Sequence, residues 1–285
     1  MISIIIVNYN VFNYLKKCLK SLDTYKPSIP YEIILIDNNS YLDKIPLNDI
    51  KDRNIRVYNY GSNLGFSKAV NIGIKKSKGD YVLLMNPDSY LVDNSIDKMI
   101  DYMKKNDKIG IIGPKVLYPS GKYQLSSKRH FPTIGIMFNK LLKLDKIFYS
   151  HNYFGKYNYS FQSNDEIMHV DSVSGAFLIF KKELVNEIGP LDERFYLYFE
   201  DTDFCYRAIQ KKYKVIYFPE STIFHHKSKS FSNSNVNKNY EFYKSLYSFY
   251  IKYYYEYKNL TIIKLFVLCV LRLIIITMYY FKKIK

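Results

Sequence analysis

The sequence predicts an α/β fold: a doubly wound, mostly parallel sheet with a C-terminal helical tail. Two observations predict the sheet and a third predicts the tail. Short runs rich in β-branched residues alternate with stretches of helical apolar spacing through the first 112 residues. Those runs are apolar at consecutive positions, as strands covered on both faces are, and strand–helix alternation makes such strands parallel. The segment 260–281 (LTIIKLFVLCVLRLIIITMYYF) is the most apolar of the chain.

Taken in order, residues 2–8 (ISIIIVN) read as a buried strand. Residues 11–22 space Val11, Tyr14, Leu15, Cys18, Leu19 and Leu22 as a helix does. Strands follow at 31–36 and 55–58, and a helix at 64–76 with Ser62 or Asn63 as its cap. A strand at 80–85 is stopped by Asn86-Pro87-Asp88, then come a helix at 94–105 and a strand at 109–112. Residues 114–170, rich in Gly, Ser, Asn and aromatics, read as a mobile or variable insertion. Regularity returns at 171–184, a strand leading into a short helix. In the helix 200–211, Phe204 with Ala208 and Cys205 with Ile209 form i,i+4 pairs facing a core. Strands at 214–218 and 222–224 and a tyrosine-rich helix at 237–257 complete the body.

The 285 residues suit one large domain, or one domain with an appendage, and 48 % hydrophobic content excludes a disordered chain. The three cysteines, Cys18, Cys205 and Cys269, form no close pair, so neither a disulfide scaffold nor a cysteine zinc site is expected, and a reducing cytosol fits. The N-terminus has no basic region before its short apolar run, unlike a signal peptide. Net charge is +16, but the lysines are scattered and no nucleic-acid motif is present, so no nucleic-acid partner is expected. A membrane surface or a nucleotide diphosphate satisfies that charge as well. Residues 259–285 supply +5 of it through Lys264, Arg272, Lys282, Lys283 and Lys285. Lys264 and Arg272 fall about 80° apart around a helix. That favours a helix lying in the membrane interface over a spanning one, with a packed core helix as the alternative.

Polar clusters follow each early strand: Asn8-Tyr9-Asn10, Asp37 to Ser40, Asn63 to Phe66, and Asn86-Pro87-Asp88. Each alone is an ordinary turn. Together they outline a pocket beyond the carboxyl ends of the strands, where open α/β sheets bind ligands. There is no GxGxxG and no GxxxxGK followed by Ser or Thr, which disfavours a dinucleotide dehydrogenase or a P-loop enzyme. Asp88 beyond a buried strand suits a divalent metal holding a diphosphate. His225 and His226 are adjacent on an extended chain, so one of them should face the pocket. Glu200, Asp201 and Asp203 open a helix; they can serve as dipole and cap partners, or Asp201 as a general base. Asp203 and Arg207, at i,i+4, can pair and leave Asp201 free for chemistry.

These clusters, in this order, resemble glycosyltransferase family 2, in particular its bacterial rhamnosyltransferase-like branch. The matching segments are SIIIVNYN (3–10), EIILIDNNS (32–40), NLGFSKAVNIGI (63–74), YVLLMNPDSYLV (81–92), DSVSGAFLIFKKEL (171–184), GPLDERFYLYFEDTDFCYR (189–207) and FPESTIFHHKSKS (218–230). The resemblance covers about 1–256 and implies a Rossmann-like GT-A fold. It implies a catalytic domain over 1–257, and the apolar, basic segment 258–285 becomes a helix for membrane association. By resemblance, Asp37 binds the nucleotide base, with Val7, Tyr9, Asn39, Gly65, Asn71 and Asn86 on the nucleotide side. Asp88 is the metal ligand of a variant DxD motif whose first acid is Asn86, and His225 aids the metal or diphosphate. Gly175 and Glu200 lie by sugar and acceptor, and Asp201 is the catalytic base. The usual glycines after the histidine are here His226, Lys227, Ser228 and Lys229.

The resemblance therefore implies an inverting transferase, dependent on Mg2+ or Mn2+, that takes a nucleoside-diphosphate sugar as donor. dTDP-rhamnose is the first candidate and UDP-hexoses are next. The acceptor is a saccharide, expected to be lipid-linked, and the expected place is the inner face of the cell membrane, with a homodimer as an option. The rivals are a nucleotidyltransferase-like enzyme and an inactive membrane-tethered scaffold.

Overall fold

A computed structural model describes residues 1–40, 54–227, 237–255 and 262–283. Strand β1 (Ile2–Asn8) is buried at every position because helices cover both of its faces. In chain order it is followed by α1 (Phe12–Thr24), β2 (Tyr31–Asp37), β3 (Ile55–Asn59), α2 (Phe66–Lys76), β4 (Tyr81–Met85), β5 (Ser89–Leu91), α3 (Ser95–Lys104) and β6 (Ile109–Leu117). Then come β7 (Lys128–Arg129), α4 (Ile134–Leu141), α5 (Leu144–Ile147), β8 (Met168–His169), β9 (Ser172–Val173), β10 (Phe177–Lys181) and α6 (Lys182–Ile188). Helix α7 (Glu200–Gln210), β11 (Lys214–His225), α8 (Lys238–Tyr250) and α9 (Ile262–Lys283) complete the described chain.

The main sheet has the order β3-β2-β1-β4-β10-β6-β11-β5, with β8 added beside β11. Strands β3, β2, β1, β4, β6 and β11 share one direction, and β10 runs against them between β4 and β6. Alternation along β1 sorts its side chains by face. Ile2, Ile4 and Ile6 pack with Leu15, Cys18 and Leu22 of α1 and with Met99 and Met103 of α3. Ile5 and Val7 pack with Val70 and Ile74 of α2 and with Phe204, Cys205 and Ala208 of α7. A third core, mostly aromatic, joins Phe195 and Phe199 to Leu246, Phe249 and Tyr250 of α8 and to Leu271 of α9.

Several boundaries differ from the sequence expectation. Helix α2 starts at Phe66 with Gly65, not Ser62 or Asn63, in the cap position. Asn63 is used elsewhere: its side-chain oxygen accepts from the Gly65 amide at 3.0 Å and from Asn38 at 2.9 Å. The two short strands after residue 214 are one strand, β11, with an irregularity between Phe218 and Thr222 where Pro219 interrupts the ladder. The tyrosine-rich helix ends in a π-helical turn over Ile251–Tyr255. Residues 114–170 carry short helices and strands rather than regular alternation.

The tail helix packs Val267, Leu268 and Leu271 against the aromatic core, while Arg272, Leu273, Ile276 and Tyr279 are exposed. Among the described residues no helix is long and apolar enough to cross a membrane. The boundary expected at 257/258 lies outside the described residues, as do Ser228, Lys229 and Lys285 and the side chains of Lys264, Lys282 and Lys283.

Candidate active site

The carboxyl ends of β1, β2 and β4 open on a cavity of about 1280 Å³. Val7, Tyr9, Gly65, Asn86, Asp88, Gly175, Glu200, Asp201 and His225 all line it. Asp37 lies just behind this lining. Register pairs Asn8 with Asp37, and Asp37 Oδ1 accepts from Asn8 Nδ2 at 3.2 Å. Ser40 binds the same pair, donating to Asp37 and accepting from Asn8 at 3.0 Å. Asn38, also lining the cavity, ties the second loop to the third, accepting from the Leu64 amide at 2.8 Å. Gly65 adopts φ +80, and a Cβ there would meet the Tyr196 ring at 2.5 Å, so only glycine lets Tyr196 close over this edge.

Two sequence-assigned nucleotide residues stand apart from the cavity. Asn39 is exposed, at φ 66. Asn71 spends its amide on Leu191, donating to its carbonyl at 2.8 Å and accepting from its N–H at 2.9 Å. It also donates to Glu193 at 3.0 Å, so it braces the loop before α7 rather than facing a ligand.

Asp88 and His225 come together because β5 pairs antiparallel with β11, placing Ser89 opposite His225. His225 Nε2 stands 3.2 Å from Asp88 Oδ1, and both residues are buried. Its Nδ1 lies 3.1 Å from Oε1 of Gln124, whose Nε2 donates to the His225 carbonyl at 2.6 Å. An amide oxygen can only accept, so the imidazole proton sits on Nδ1. Where the ring is neutral, its bare Nε2 faces a carboxylate oxygen. Two acceptors so placed repel unless a cation joins them. Adjacent ligands of an octahedral ion, each about 2.1 Å from it, stand about 3 Å apart, so the pair fits a divalent metal. Among the described residues no three His, Cys, Asp or Glu side chains cluster as a complete cage. Such an ion would therefore take its remaining ligands from water and substrate. His226 faces the other way, its ring against Tyr14 with centroids 4.8 Å apart.

Asp201 opens α7 after Tyr198 and Phe199, both at positive φ. It is not the free carboxylate that the sequence suggested. Its Oδ2 accepts from Arg129 Nη2 at 2.7 Å and from the Gly175 amide at 2.8 Å, and its Oδ1 from the Thr202 amide at 2.7 Å. The Thr202 hydroxyl adds a longer contact of 3.2 Å. A Cβ on Gly175 would lie 3.2 Å from Asp201, so glycine permits this close approach. Burial lowers the Arg129 pKa, but the Asp201 carboxylate outweighs it and holds the guanidinium charged.

Glu200 is built in the opposite way. It is 7 % exposed, and its Oε2 has no hydrogen-bond partner. Burial, with the Asp201 charge beside it, pushes its carboxyl up to about 8. Asp203 is spent on structure: it accepts from Arg207 Nε at 2.8 Å and from the Tyr253 hydroxyl at 2.6 Å, and it pairs with Lys252. The π-helical turn thus clamps the base of α7.

Arg129 and Gln124 were not found from the sequence. Both come from the irregular stretch after β6, where no periodicity marks a side chain as inward. The signal that could have found Arg129 is indirect: a buried carboxylate needs a cation.

Known proteins share the family and the fold of this chain. An L-rhamnosyltransferase of Mycobacterium tuberculosis, named for N-acetylglucosaminyl-diphospho-decaprenol, is 26 % identical over 261 residues, covering 87 % of this chain and 83 % of its own. GalNAc-T7, solved with UDP, GalNAc and Mn2+, matches with a TM-score of 0.61 at 18 % identity, over 79 % of this chain and 43 % of that one. A mannosyltransferase from Pyrobaculum calidifontis, solved with GDP-Man and Mn2+, matches with a TM-score of 0.58 at 12 % identity, over 88 % of this chain and 64 % of that one. The chain thus spans less than two thirds of these solved chains, and at such identities they show the fold, which is GT-A. The family profile described as glycosyl transferase family 2 matches residues 3–189, so the chain that folds Asp88, His225 and Asp201 around one cavity belongs to that family and is a glycosyltransferase.

Proposed function

We propose that the chain transfers a sugar, with inversion and with a divalent metal, from a nucleoside-diphosphate sugar to a hydroxyl of a lipid-linked saccharide during cell-surface polysaccharide synthesis. dTDP-rhamnose is the first donor and a UDP-hexose the next. The observation that carries the reading is the opening of the Asp88–His225 pair and of Asp201 on the same cavity. The name of the mycobacterial relative supports both rhamnose and a diphosphate-linked lipid acceptor.

In this reading Asp37, Val7 and Tyr9 hold the nucleoside at the sheet edge. Asp88 and His225 would hold Mg2+ or Mn2+, with Gln124 fixing the imidazole tautomer. When bound there, the ion supplies positive charge to the leaving diphosphate. Asp201 takes the proton of the acceptor hydroxyl, which attacks the anomeric carbon from the face opposite the diphosphate. The Thr202 hydroxyl holds the longest of the Asp201 hydrogen bonds, so the acceptor enters by displacing it. Arg129 and the Gly175 amide keep Oδ2 oriented. Glu200, protonated near neutral pH, donates to a sugar oxygen. The exposed apolar residues of α9 support a peripheral place on the inner face of the membrane.

The test is a panel of nucleotide sugars with Mg2+, Mn2+ or chelator, scored by nucleoside diphosphate release and by the anomeric configuration of the product. Release only with metal, and an inverted product, are expected. Full activity in chelator would remove Asp88 and His225 from a metal role, and no release with any donor would favour an inactive scaffold.

A further inference from the structure

Lys140, Lys146 and Lys227 line the cavity too, as do the apolar side chains of Phe138 and Tyr149 and of Ile274 on α9. The charges of Arg129, Lys227 and Lys146 all reach the Lys140 ammonium, and Asp145 is the acid that opposes them there. Burial first, and these neighbours next, push Lys140 down to about 8. Lys140 is also held over the Tyr157 ring, its Nζ 4.0 Å from the centroid, so its position is fixed. Such cations lower their mutual repulsion when an anion joins them. Phe138 and Tyr149, which line the cavity, are also among the exposed large apolar side chains, and others share their segment or lie on α9. Phe138, Leu142, Ile147, Phe148, Tyr149 and Tyr153 lie on one segment, and Leu273, Ile276 and Tyr279 on α9.

We propose that Lys140, Lys146 and Lys227 receive the diphosphate of a polyprenyl-linked acceptor, and that the rim between residues 138–149 and α9 takes the first units of its hydrocarbon chain. The proposal rests on the lipid-linked acceptor of the preceding section and adds the residues that read it. The donor diphosphate has its own place at Asp88 and His225, the latter two residues before Lys227. Three lysines match the two or more charges of a diphosphate better than the single charge of a bilayer phospholipid. Cation and apolar rim are adjacent, as the two ends of such a headgroup–chain junction require.

Calorimetry on the full chain, with dTDP and Mg2+ in excess, would compare geranylgeranyl diphosphate, its monophosphate and geranylgeraniol. The diphosphate should bind at least about tenfold more tightly than the monophosphate, and the alcohol most weakly, since each charge-assisted hydrogen bond that is lost lowers affinity by about tenfold or more. Lys140→Gln with Lys146→Gln should weaken the diphosphate by about tenfold or more on the same scale, and Lys140→Arg with Lys146→Arg should restore most of it. Displacement of the lipid by dTDP would give these cations to the donor and overturn the proposal. So would equal competition by phosphatidylglycerol vesicles, or wild-type affinity in the double Gln variant. Failure of the broader functional reading would show separately, as absence of nucleoside diphosphate release from every donor.

Discussion

The sheet-edge end of the cavity and the end beneath the tail are held by different forces. At the sheet edge, polar side chains are fixed by strand register and by hydrogen bonds from uncharged donors, as Asn8 and Ser40 donate to Asp37. At the far end, charged groups are fixed by one another: Asp201 by Arg129, and Asp203 by Arg207 and Lys252. The packing differs in the same way. Mostly aliphatic side chains of two layers cover the sheet, whereas aromatics of 195–206 and α8, packed edge-on or tilted, carry the far end. Breaking a buried charge pair strands an ion in low dielectric, which costs more than losing a neutral hydrogen bond. The far end should therefore respond more strongly to single substitutions and to pH.

The largest effect is expected from Asp201→Asn. The amide keeps the shape but cannot accept the proton, and loss of a general base lowers turnover about 10²–10⁴-fold. It also leaves Arg129, nearly enclosed, without its counter-charge, so the variant should melt earlier. Donor affinity measured by titration should change little. If Asp201→Asn turns over normally while Glu200→Gln is dead, the base is Glu200 and the contrast drawn between these neighbours reverses.

Glu200 gives the pH test. An unfolded glutamate titrates near about 4.3, and the folded carboxyl near about 8. Between those values the native state keeps a proton that the unfolded state has lost. Stability from this group therefore falls as pH rises through the window and levels off above it. Glu200→Gln should melt together with wild type near pH 5 and roughly 2–8 °C higher at pH 8.5, as a gain of a few kcal/mol would give. Equal melting temperatures at both pH values would mean that the carboxyl finds a partner in solution. The variant should nonetheless transfer more slowly, because the group is left unpaired for a substrate.

At the metal pair the comparison can be sharpened without touching a ligand. Gln124→Ala removes the acceptor for the His225 Nδ1 proton and frees the ring to rotate. Outer residues of this kind are worth about 10–100-fold in metal affinity, so the Mn2+ concentration for half-maximal activity should rise by that factor while turnover at saturating Mn2+ recovers. Reduced turnover at saturating metal would instead give Gln124 a structural role.

The same contrast explains what could be read from residues alone. Asp37 and Asp88 follow buried strands, and a run such as EIILID announces both its strand and its end. His225 and Asp201 sit at the limits of regular elements and were reachable in the same way. Arg129, Gln124 and Lys140 belong to a stretch of short helices and turns, where neither a period of 2 nor of 3.6 sorts inward from outward positions. Asn71 shows the converse limit. Its place on α2 was legible, but whether its amide meets a ligand or the Leu191 backbone depends on a loop 120 residues away.

The smallest effect on the fold, and the most informative about the tail, is expected on α9. Its two faces make opposite predictions. Leu271 is buried in the aromatic core, so Leu271→Ala should cost about 2–4 kcal/mol by leaving a cavity. Leu273 and Ile276, 61 % and 42 % exposed, touch little, and changing both to Ser should alter stability by no more than about 0.5 kcal/mol each. If this face enters a bilayer, each side chain contributes roughly 1.5–3 kcal/mol to attachment, so the pair should lower partitioning by about 10²-fold or more. Flotation of the full chain with phosphatidylglycerol vesicles, alongside thermal melting, separates the two. The double Ser variant should stay at the bottom of the gradient with an unchanged melting curve, and Leu271→Ala should melt early yet still float while folded. Equal flotation of wild type and the double Ser variant would remove the exposed face from any membrane role and leave α9 as a clamp on the aromatic core alone.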